Sequence, residues 1–167
     1  DQSISIAKIT DGTSKTVMIA EMRVGINEQD RRGVWAMPLC GSNYHCRHAA
    51  FPPNDCGGSN DDILGGEALY SEYEASMDRE CMLVDSSENS SGQATGRSVH
   101  PGGVMVALAD GSVRFVSSFI EHGVGEINGL SRWITNRLVD QSRPDPQFLT
   151  WQRMLVSGDS LNVSVLE

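Results

Sequence analysis

Two runs of β-prone residues separated by an Asp-Gly pair constrain this fold more than any other feature of the sequence. Residues 104–109 and 112–116 flank Asp110-Gly111. Asp-Gly between apolar runs is a strong signal for a two-residue hairpin turn, because a type I′ turn needs a positive φ at both central positions. The sequence therefore predicts an antiparallel hairpin over residues 104–117.

The register of this hairpin follows from its turn. If Ala109 pairs with Ser112, every other cross-strand partner is fixed, because side chains alternate between the two faces of a sheet. One face is then uniformly apolar, so this register also predicts which side of the hairpin is buried. The predicted partners on that face are Leu108 with Val113 and Val106 with Phe115.

His100 stands before the same hairpin, with nine residues between it and Asp110. A continuous strand rises about 3.3 Å per residue, which predicts a separation of about 30 Å between these two side chains. That distance excludes a single catalytic pair. We expect His100 to anchor the start of the strand and Asp110-Gly111 to form its turn, with Asp11-Gly12 forming a second turn upstream.

Length and charge exclude several classes of protein. With 167 residues, the chain predicts one globular domain, residues 1–167, with a hydrophobic core of its own. The formal net charge of −9 argues against nucleic acid as a partner. No apolar run is long enough to span a membrane. Because the chain opens at Asp1 inside a patterned segment, we expect a processed fragment.

Periodicity along the chain predicts an α+β fold: an antiparallel sheet with short flanking helices and long, disulfide-stapled loops. Between about residues 39 and 98 the chain loses its period, which predicts a loop-rich insertion. One amphipathic helix is predicted within it. The predicted strands are 16–22, 33–37 and 162–166, and the predicted helices are 67–80, 130–138 and 145–158.

Four cysteines lie in the loop-rich half of the chain. Their even number and their clustering favour disulfides in an oxidising compartment. Three pairings are possible, and the sequence does not choose among them. A zinc site is the alternative, although there is no Cys-x2-Cys pair. The disulfide candidates are Cys40, Cys46, Cys56 and Cys81.

Two groups of residues are candidate metal ligands. A glycine-containing loop carries several hard oxygen donors of the kind that calcium prefers, and a solvated acidic loop is the alternative. His45 and His48 flank Cys46 and form a weaker candidate for a transition metal, with hydrogen-bonded surface histidines as the alternative. The calcium candidates are Asp55, Asn60, Asp61 and Asp62.

Motifs of common enzymes do not stand out. There is no Gly-x-Ser-x-Gly elbow, and Gly102-Gly103 precedes a strand rather than a helix, which argues against a phosphate-binding loop. The carboxylates between residues 72 and 80 read as one solvated helix face. The sequence therefore favours a role other than that of an enzyme. Trp35 is expected to pack in the core.

The hairpin and an upstream segment resemble the planctomycete DUF1559 family, which is also filed under a solute-binding-protein label. The family signature is His, nine residues and Asp-Gly, as at His100 to Gly111. Its upstream pattern is similar to residues 9–16, Ile-Thr-Asp-Gly-Thr-Ser-Lys-Thr, followed by Glu21. Lys15 stands where the family usually has Asn. Further segments that look familial are 32–36, 53–55, 61–62 and 151–155.

This resemblance implies the C-terminal globular domain of a type IV pilin-like protein. Full-length relatives begin with a cleavage signal and a long apolar helix, and we expect this chain to be a fragment that lacks them. The implied function is that of an extracellular or cell-surface structural protein, which acts through assembly or adhesion by self-association or with other surface proteins. Any membrane contact would depend on the missing helix, and calcium is implied by analogy with some pseudopilins.

Two other functions remain open. The family's second label suggests a binding module for a sugar or another small solute. Exposed aromatic side chains would then form a glycan-binding platform. A secreted metalloenzyme or hydrolase is the third hypothesis. The aromatic candidates are Trp35, Tyr44, Phe51, Tyr70 and Tyr73.

Overall fold

The computed structural model describes residues 5–39, 41–43, 52–56, 61, 63–86, 95–120 and 150–155. The fold is α+β, as predicted, and its three-stranded antiparallel sheet has the order β1-β2-β3. The strands are β1 (Val17–Ala20), β2 (Gly103–Leu108) and β3 (Val113–Ser117). The helices are α1 (Gly66–Arg79) and α2 (Thr150–Met154), and a 3-10 turn covers Ile6–Lys8.

The β2–β3 hairpin forms where it was predicted, but its register is displaced by one residue. Met105 pairs with Phe115, and Val106 pairs with Arg114. The predicted pairing of Val106 with Phe115 is therefore wrong. Because side chains alternate between faces, this displacement moves the side chains of β3 to the opposite faces.

The loop between the two strands explains the displacement. The Leu108 N–H donates to the carbonyl of Ser112 at 2.8 Å, so three residues rather than two connect the strands. Gly111 closes the turn by donating its N–H to the Leu108 carbonyl at 2.9 Å, and its φ of +85° is left-handed. This is a three-residue hairpin loop in which the left-handed glycine forms a bulge.

The inner face of the sheet carries the first hydrophobic cluster. Side chains of β2 alternate with the period of two expected of a strand with one buried face. Helix α2 lies within the helix predicted over 145–158 and packs against this face, where Trp151 is fully buried. The buried members are Val104, Val106, Leu108, Val116, Ile120, Trp151 and Met154.

A second cluster surrounds α1 and confirms the amphipathic helix predicted over residues 67–80. Leu69 and Met77 are buried, two turns apart on one side of the helix. Tyr73, one turn from each of them, is partly buried and packs against the same cluster. Ile63 and Val84, which flank the helix in sequence, complete the cluster.

Two sequence predictions about β structure are corrected. Residues 33–37, predicted as a strand, form turns, and the Trp35 side chain is 84% exposed rather than packed in the core. The strand predicted over 16–22 is limited to β1, and its Ile19 is exposed rather than buried. In both segments apolar side chains lie at the surface, so an apolar run does not by itself indicate burial. The predicted helix 130–138 and strand 162–166 lie outside the described residues.

A disulfide joins Cys56 to Cys81, so the loop that contains α1 is closed on itself. Closing a loop of 25 residues stabilises a fold by about 3–4 kcal/mol in the chain-entropy account. Such bonds persist in oxidising compartments, so the disulfide fits a location outside the cytoplasm. Cys40 and Cys46 lie outside the described residues. Within the part of the chain described, no helix is long and apolar enough to cross a membrane.

Two single glycine substitutions in the hairpin are expected to lower stability by different amounts, one through backbone strain and the other through steric clash. A Cβ at Gly111 would contact no other atom within 4 Å, so Gly111→Ala should cost only the left-handed backbone, about 1 kcal/mol. A Cβ at Gly103 would overlap the carbonyl oxygen of Val116, so Gly103→Ala should cost about 3 kcal/mol or more. Urea unfolding measures both, and equal losses would contradict this hairpin geometry.

Candidate functional site

The two Asp-Gly segments meet at one end of the sheet. The Asp110 N–H donates to the carbonyl of Thr13 at 3.1 Å, and the Ala109 N–H donates to the carbonyl of Thr16 at 2.8 Å. Gly12, with a φ of +98°, turns the upstream segment back so that Thr16 runs into β1. Segments almost a hundred residues apart in sequence are therefore adjacent in the fold.

The Asp110 side chain acts within its own loop. Its Oδ1 accepts hydrogen bonds from the Ser112 hydroxyl at 2.7 Å and from the Ser112 N–H at 2.9 Å. These two bonds, and the charge of Arg114 nearby, outweigh a small effect of burial and lower the pKa of Asp110. The contacts of this exposed carboxylate account for the shape of the hairpin loop.

Glu21 and His100 meet at the opposite end of β2. The carboxylate of Glu21 accepts the Met105 N–H at 2.8 Å, and its other oxygen lies 3.2 Å from His100 Nε2. Burial raises the pKa of Glu21, but the bonds from Met105 and Ser98 and the charge of His100 together lower it below its usual value. The sequence did not predict this pair.

Asp61 forms the centre of a buried charge network. Its Oδ2 accepts hydrogen bonds from Arg97 Nε at 2.6 Å and from Arg32 Nη1 at 3.0 Å. Its Oδ1 accepts the Thr95 N–H at 2.9 Å. Asp61 and Arg32 have fully buried side chains, so these bonds form away from water. One carboxylate therefore joins three loops that are distant in sequence.

A second carboxylate completes the network. Asp30 binds Arg32 through both oxygens, with Nη2 at 2.7 Å and Nε at 3.0 Å. Burial lowers the pKa of Arg32, but the hydrogen bonds and charges of Asp30 and Asp61 outweigh it and raise the pKa. Asp30 thus binds Arg32 alone, whereas Asp61 binds both arginines, and the network of Asp30, Arg32, Asp61 and Arg97 is neutral as a whole.

The predicted metal ligands are not brought together among the described residues. Asp61 is bound to the two arginines, and Asp55 lies in the segment before the disulfide. Asn60 and Asp62 lie outside the described residues, as do His45 and His48. Across the described ranges, no group of three or more acidic, His or Cys side chains is placed to hold a metal ion. Calcium stays a prediction.

A polar cavity of about 230 Å³ lies between the disulfide and the start of β2. Arg97 and His100 line it from the segment that precedes β2, and Cys81 lines it from the disulfide. Arg23 and Glu80 form a further wall, where Arg23 Nη2 lies 2.6 Å from the Glu80 carboxylate.

Asn54 fixes the geometry of this cavity. Its backbone is left-handed with a φ of 60°, which asparagine tolerates better than most residues. Its side-chain oxygen accepts the Ser98 N–H at 2.7 Å, and its amide donates to the Gly103 carbonyl at 3.1 Å and to the Ser118 hydroxyl at 3.4 Å. One amide therefore joins the disulfide loop to the start of β2 and to the residue that follows β3.

The outer face of the sheet is apolar and largely exposed. Phe115 is 52% exposed and Val113 is 62% exposed, although both were predicted to be buried. Across the strands, Met105 lies opposite Phe115, and Ala107 lies opposite Val113 on β3 and Ile19 on β1. The outer sheet face, defined as Ile19, Met105, Ala107, Val113 and Phe115, follows from the displaced register.

Comparisons with known proteins identify a family. The sequence profile of the SBP_bac_10 family, described as "Protein of unknown function (DUF1559)", matches residues 1–123. That range contains both Asp-Gly segments, the charge network and the polar cavity. Neither a curated protein nor a solved structure matches the chain.

The charge network is expected to be essential for stability. Asp61→Asn would remove the carboxylate that Arg97 binds and would leave Arg32 with that of Asp30 alone, which should lower the free energy of unfolding by about 3–5 kcal/mol. Asp78→Asn, at an exposed position of α1, is the matched control and should change it by less than about 0.5 kcal/mol. Urea unfolding measures both, and a mild effect of Asp61→Asn would contradict the network.

The Glu21 carboxylate is expected to contribute a pH-dependent part of the stability. Its pKa is lower in the folded chain than the ordinary value of 4.5, so the stabilisation is present above about pH 4.5 and is lost as the pH falls through the folded pKa. Glu21→Gln should therefore flatten the loss of stability between about pH 6 and 3. Urea unfolding across that range tests this, with Glu67→Gln on α1 as the control for one lost carboxylate.

Proposed function

The chain belongs to the DUF1559 family, and we propose that it is an extracellular structural or surface protein, pilin-like in design, that acts through self-assembly. One observation supports this proposal more than any other. The outer sheet face presents five neighbouring apolar side chains, two of them from an edge strand of the described sheet. Clustered exposed apolar surface is typical of sites that bind another protein.

The geometry of the outer sheet face suits a second copy of the same chain. Phe115 and Val113 project from β3, whose outer edge has no partner strand among the described residues. A flat apolar face beside an open strand edge is the surface that another sheet can cover or extend. Repetition of one such contact by identical subunits produces a closed ring or an open filament.

The net charge of the chain makes self-association depend on the salt concentration. Each chain carries a formal net charge of −9, so two copies repel one another at low ionic strength. Salt shortens the range of this repulsion to about 8–10 Å at physiological concentration, whereas the apolar contact does not depend on it. Self-association through the outer sheet face should therefore strengthen as salt is added.

The location is proposed on the chemistry of the disulfide. The bond between Cys56 and Cys81 fits a compartment outside the cytoplasm, and an extracellular or cell-surface position is one such place. Assembly or adhesion at the surface requires no catalytic group, which agrees with the structural contacts found for His100 and Asp110.

Removal of one aromatic ring from the outer sheet face should weaken self-association. Burial of a fully exposed Phe side chain contributes about 1.5–3 kcal/mol, and about half of the Phe115 side chain remains to be buried, so Phe115→Ser should raise the dissociation constant by roughly four- to fifteenfold. Sedimentation velocity at low and high salt measures the constant, and electron microscopy of the wild type shows whether assembly proceeds to filaments. Circular dichroism checks that the variant is folded.

Trp35→Ser is the matched control, because Trp35 is a more exposed aromatic residue that lies outside the sheet. It should leave the dissociation constant unchanged, and Val113→Ser should act like Phe115→Ser. A wild-type protein that stays strictly monomeric at high concentration and high salt would contradict the proposal. So would an equal effect of the Trp35 variant, since the contact would then not depend on this face.

A further inference from the structure

Arg97 brings an incompletely bonded guanidinium to the wall of the polar cavity. Its side chain is only 2% exposed, its Nε donates to Asp61 at 2.6 Å, and its Nη1 donates to the Cys81 carbonyl at 2.8 Å. Its third nitrogen, Nη2, is buried and has no hydrogen-bond partner among the described residues. A buried N–H without an acceptor is unfavourable, so a molecule that brings an acceptor into the cavity would be stabilised there.

The other walls of the cavity favour an anion. Its lining includes three basic side chains, Arg23, Arg97 and His100, and one acidic side chain, Glu80. Each basic side chain also has a carboxylate partner, since Arg23 lies 2.6 Å from Glu80, Arg97 lies 2.6 Å from Asp61 and His100 lies 3.2 Å from Glu21. An anion would therefore be held by the donor that these pairs leave unbonded, Arg97 Nη2, rather than by a net positive charge. Ser98 and Ser118 also line the cavity, and their hydroxyl groups can donate hydrogen bonds.

The size of the cavity limits what can occupy it. Its volume of about 230 Å³ exceeds the volume of about 150 Å³ at which an engineered cavity holds benzene. It is smaller than the range of about 300–1,000 Å³ that is typical of sites for drug-sized ligands. A molecule of a few carbon atoms therefore fits, and an oligosaccharide does not.

We propose that this cavity binds a small carboxylate. A carboxylate supplies the acceptor that Arg97 Nη2 lacks, and the planar guanidinium is shaped to bind such a group. Arg23, whose side chain is 24% exposed, forms the more accessible wall and neutralises Glu80, so that the Glu80 carboxylate does not repel an anion. The Asp61 bond and the Cys81 carbonyl hold Arg97 in position before the ligand arrives.

This binding site is independent of the proposed assembly. The outer sheet face consists of side chains of the three strands, whereas the cavity is lined from residues before β2, after β3 and beside the disulfide. A protein that stays monomeric can still bind a carboxylate, and a protein that assembles can fail to bind one. The two proposals therefore succeed or fail separately.

Titration of the full chain with succinate tests the proposal. We expect saturable shifts of the backbone amide signals of Ser98, Gly102 and Ser118 in nuclear magnetic resonance spectra, and a rise in melting temperature with succinate concentration, since a ligand that binds only the folded state stabilises it. Succinamide, which has nearly the same shape without the charge, should bind at least about tenfold more weakly, a difference of about 1.4 kcal/mol. An absence of saturable shifts, or equal binding of succinamide, overturns the proposal.

Inorganic phosphate is the third probe, because its oxygens are also anionic acceptors. Weaker binding of phosphate than of succinate supports a carboxylate site. Tighter binding of phosphate overturns the assignment to carboxylates.

Two arginine variants locate the binding. Arg23→Gln removes a charge from the cavity wall and should weaken succinate binding at least about tenfold, while circular dichroism shows that the chain is folded. Arg114→Gln removes the same charge from an exposed position on β3, outside the cavity, and should leave binding unchanged. Equal effects of the two variants would show that only the net charge matters and would overturn the site. Because Arg23 lies outside the buried network, this test does not depend on a variant of Arg97.

Discussion

The carboxylate of Asp61 is the interaction on which the rest of this structure depends. It lies between Arg32 and Arg97 with no exposure to solvent, and each arginine comes from a different loop. Burial of these charges is costly unless each is paired and hydrogen-bonded, so removal of one partner is expected to destabilise the loops that meet there. Few helices and strands hold the described residues together. The charge network therefore holds the loops around residues 30–32, 61 and 95–97 in place.

The charge network also positions the segment that precedes β2. Once Arg97 is fixed, its N–H donates to the carbonyl of Glu21 at 3.0 Å, and the next residue, Ser98, donates to Asn54. Asn54 in turn binds Gly103 at the start of β2 and Ser118 just after β3. The backbone carbonyl of Cys81, which is held by the disulfide, accepts the hydrogen bond from Arg97 Nη1. The polar cavity is therefore formed by the same contacts that join the buried network to the sheet.

The two sequence motifs of the family have a structural explanation in the β1–β2 pair. Antiparallel pairing brings the Asp-Gly turn of the first motif next to the Asp-Gly loop of the second, where Thr13 accepts the Asp110 N–H. The same pairing brings Glu21, at the end of the first motif, to His100, at the start of the second. The start of each motif therefore lies beside the end of the other. The contacts of both motifs hold β1 and β2 together.

The sequence by itself determined the hairpin, the helix around Leu69 and Met77, and the α+β class, because these depend on local turn chemistry and on the spacing of apolar residues. The predicted register of the hairpin was wrong because Asp-Gly is compatible with both a two-residue and a three-residue loop. A difference of one residue exchanges the two faces of β3. The resemblance marked segments 32–36 and 61–62, yet it did not indicate that Arg32 and Asp61 bind one another. Only the tertiary structure decided those pairs, the polar cavity and the exposed apolar face, since ion pairs between distant loops leave no periodic signal in a sequence.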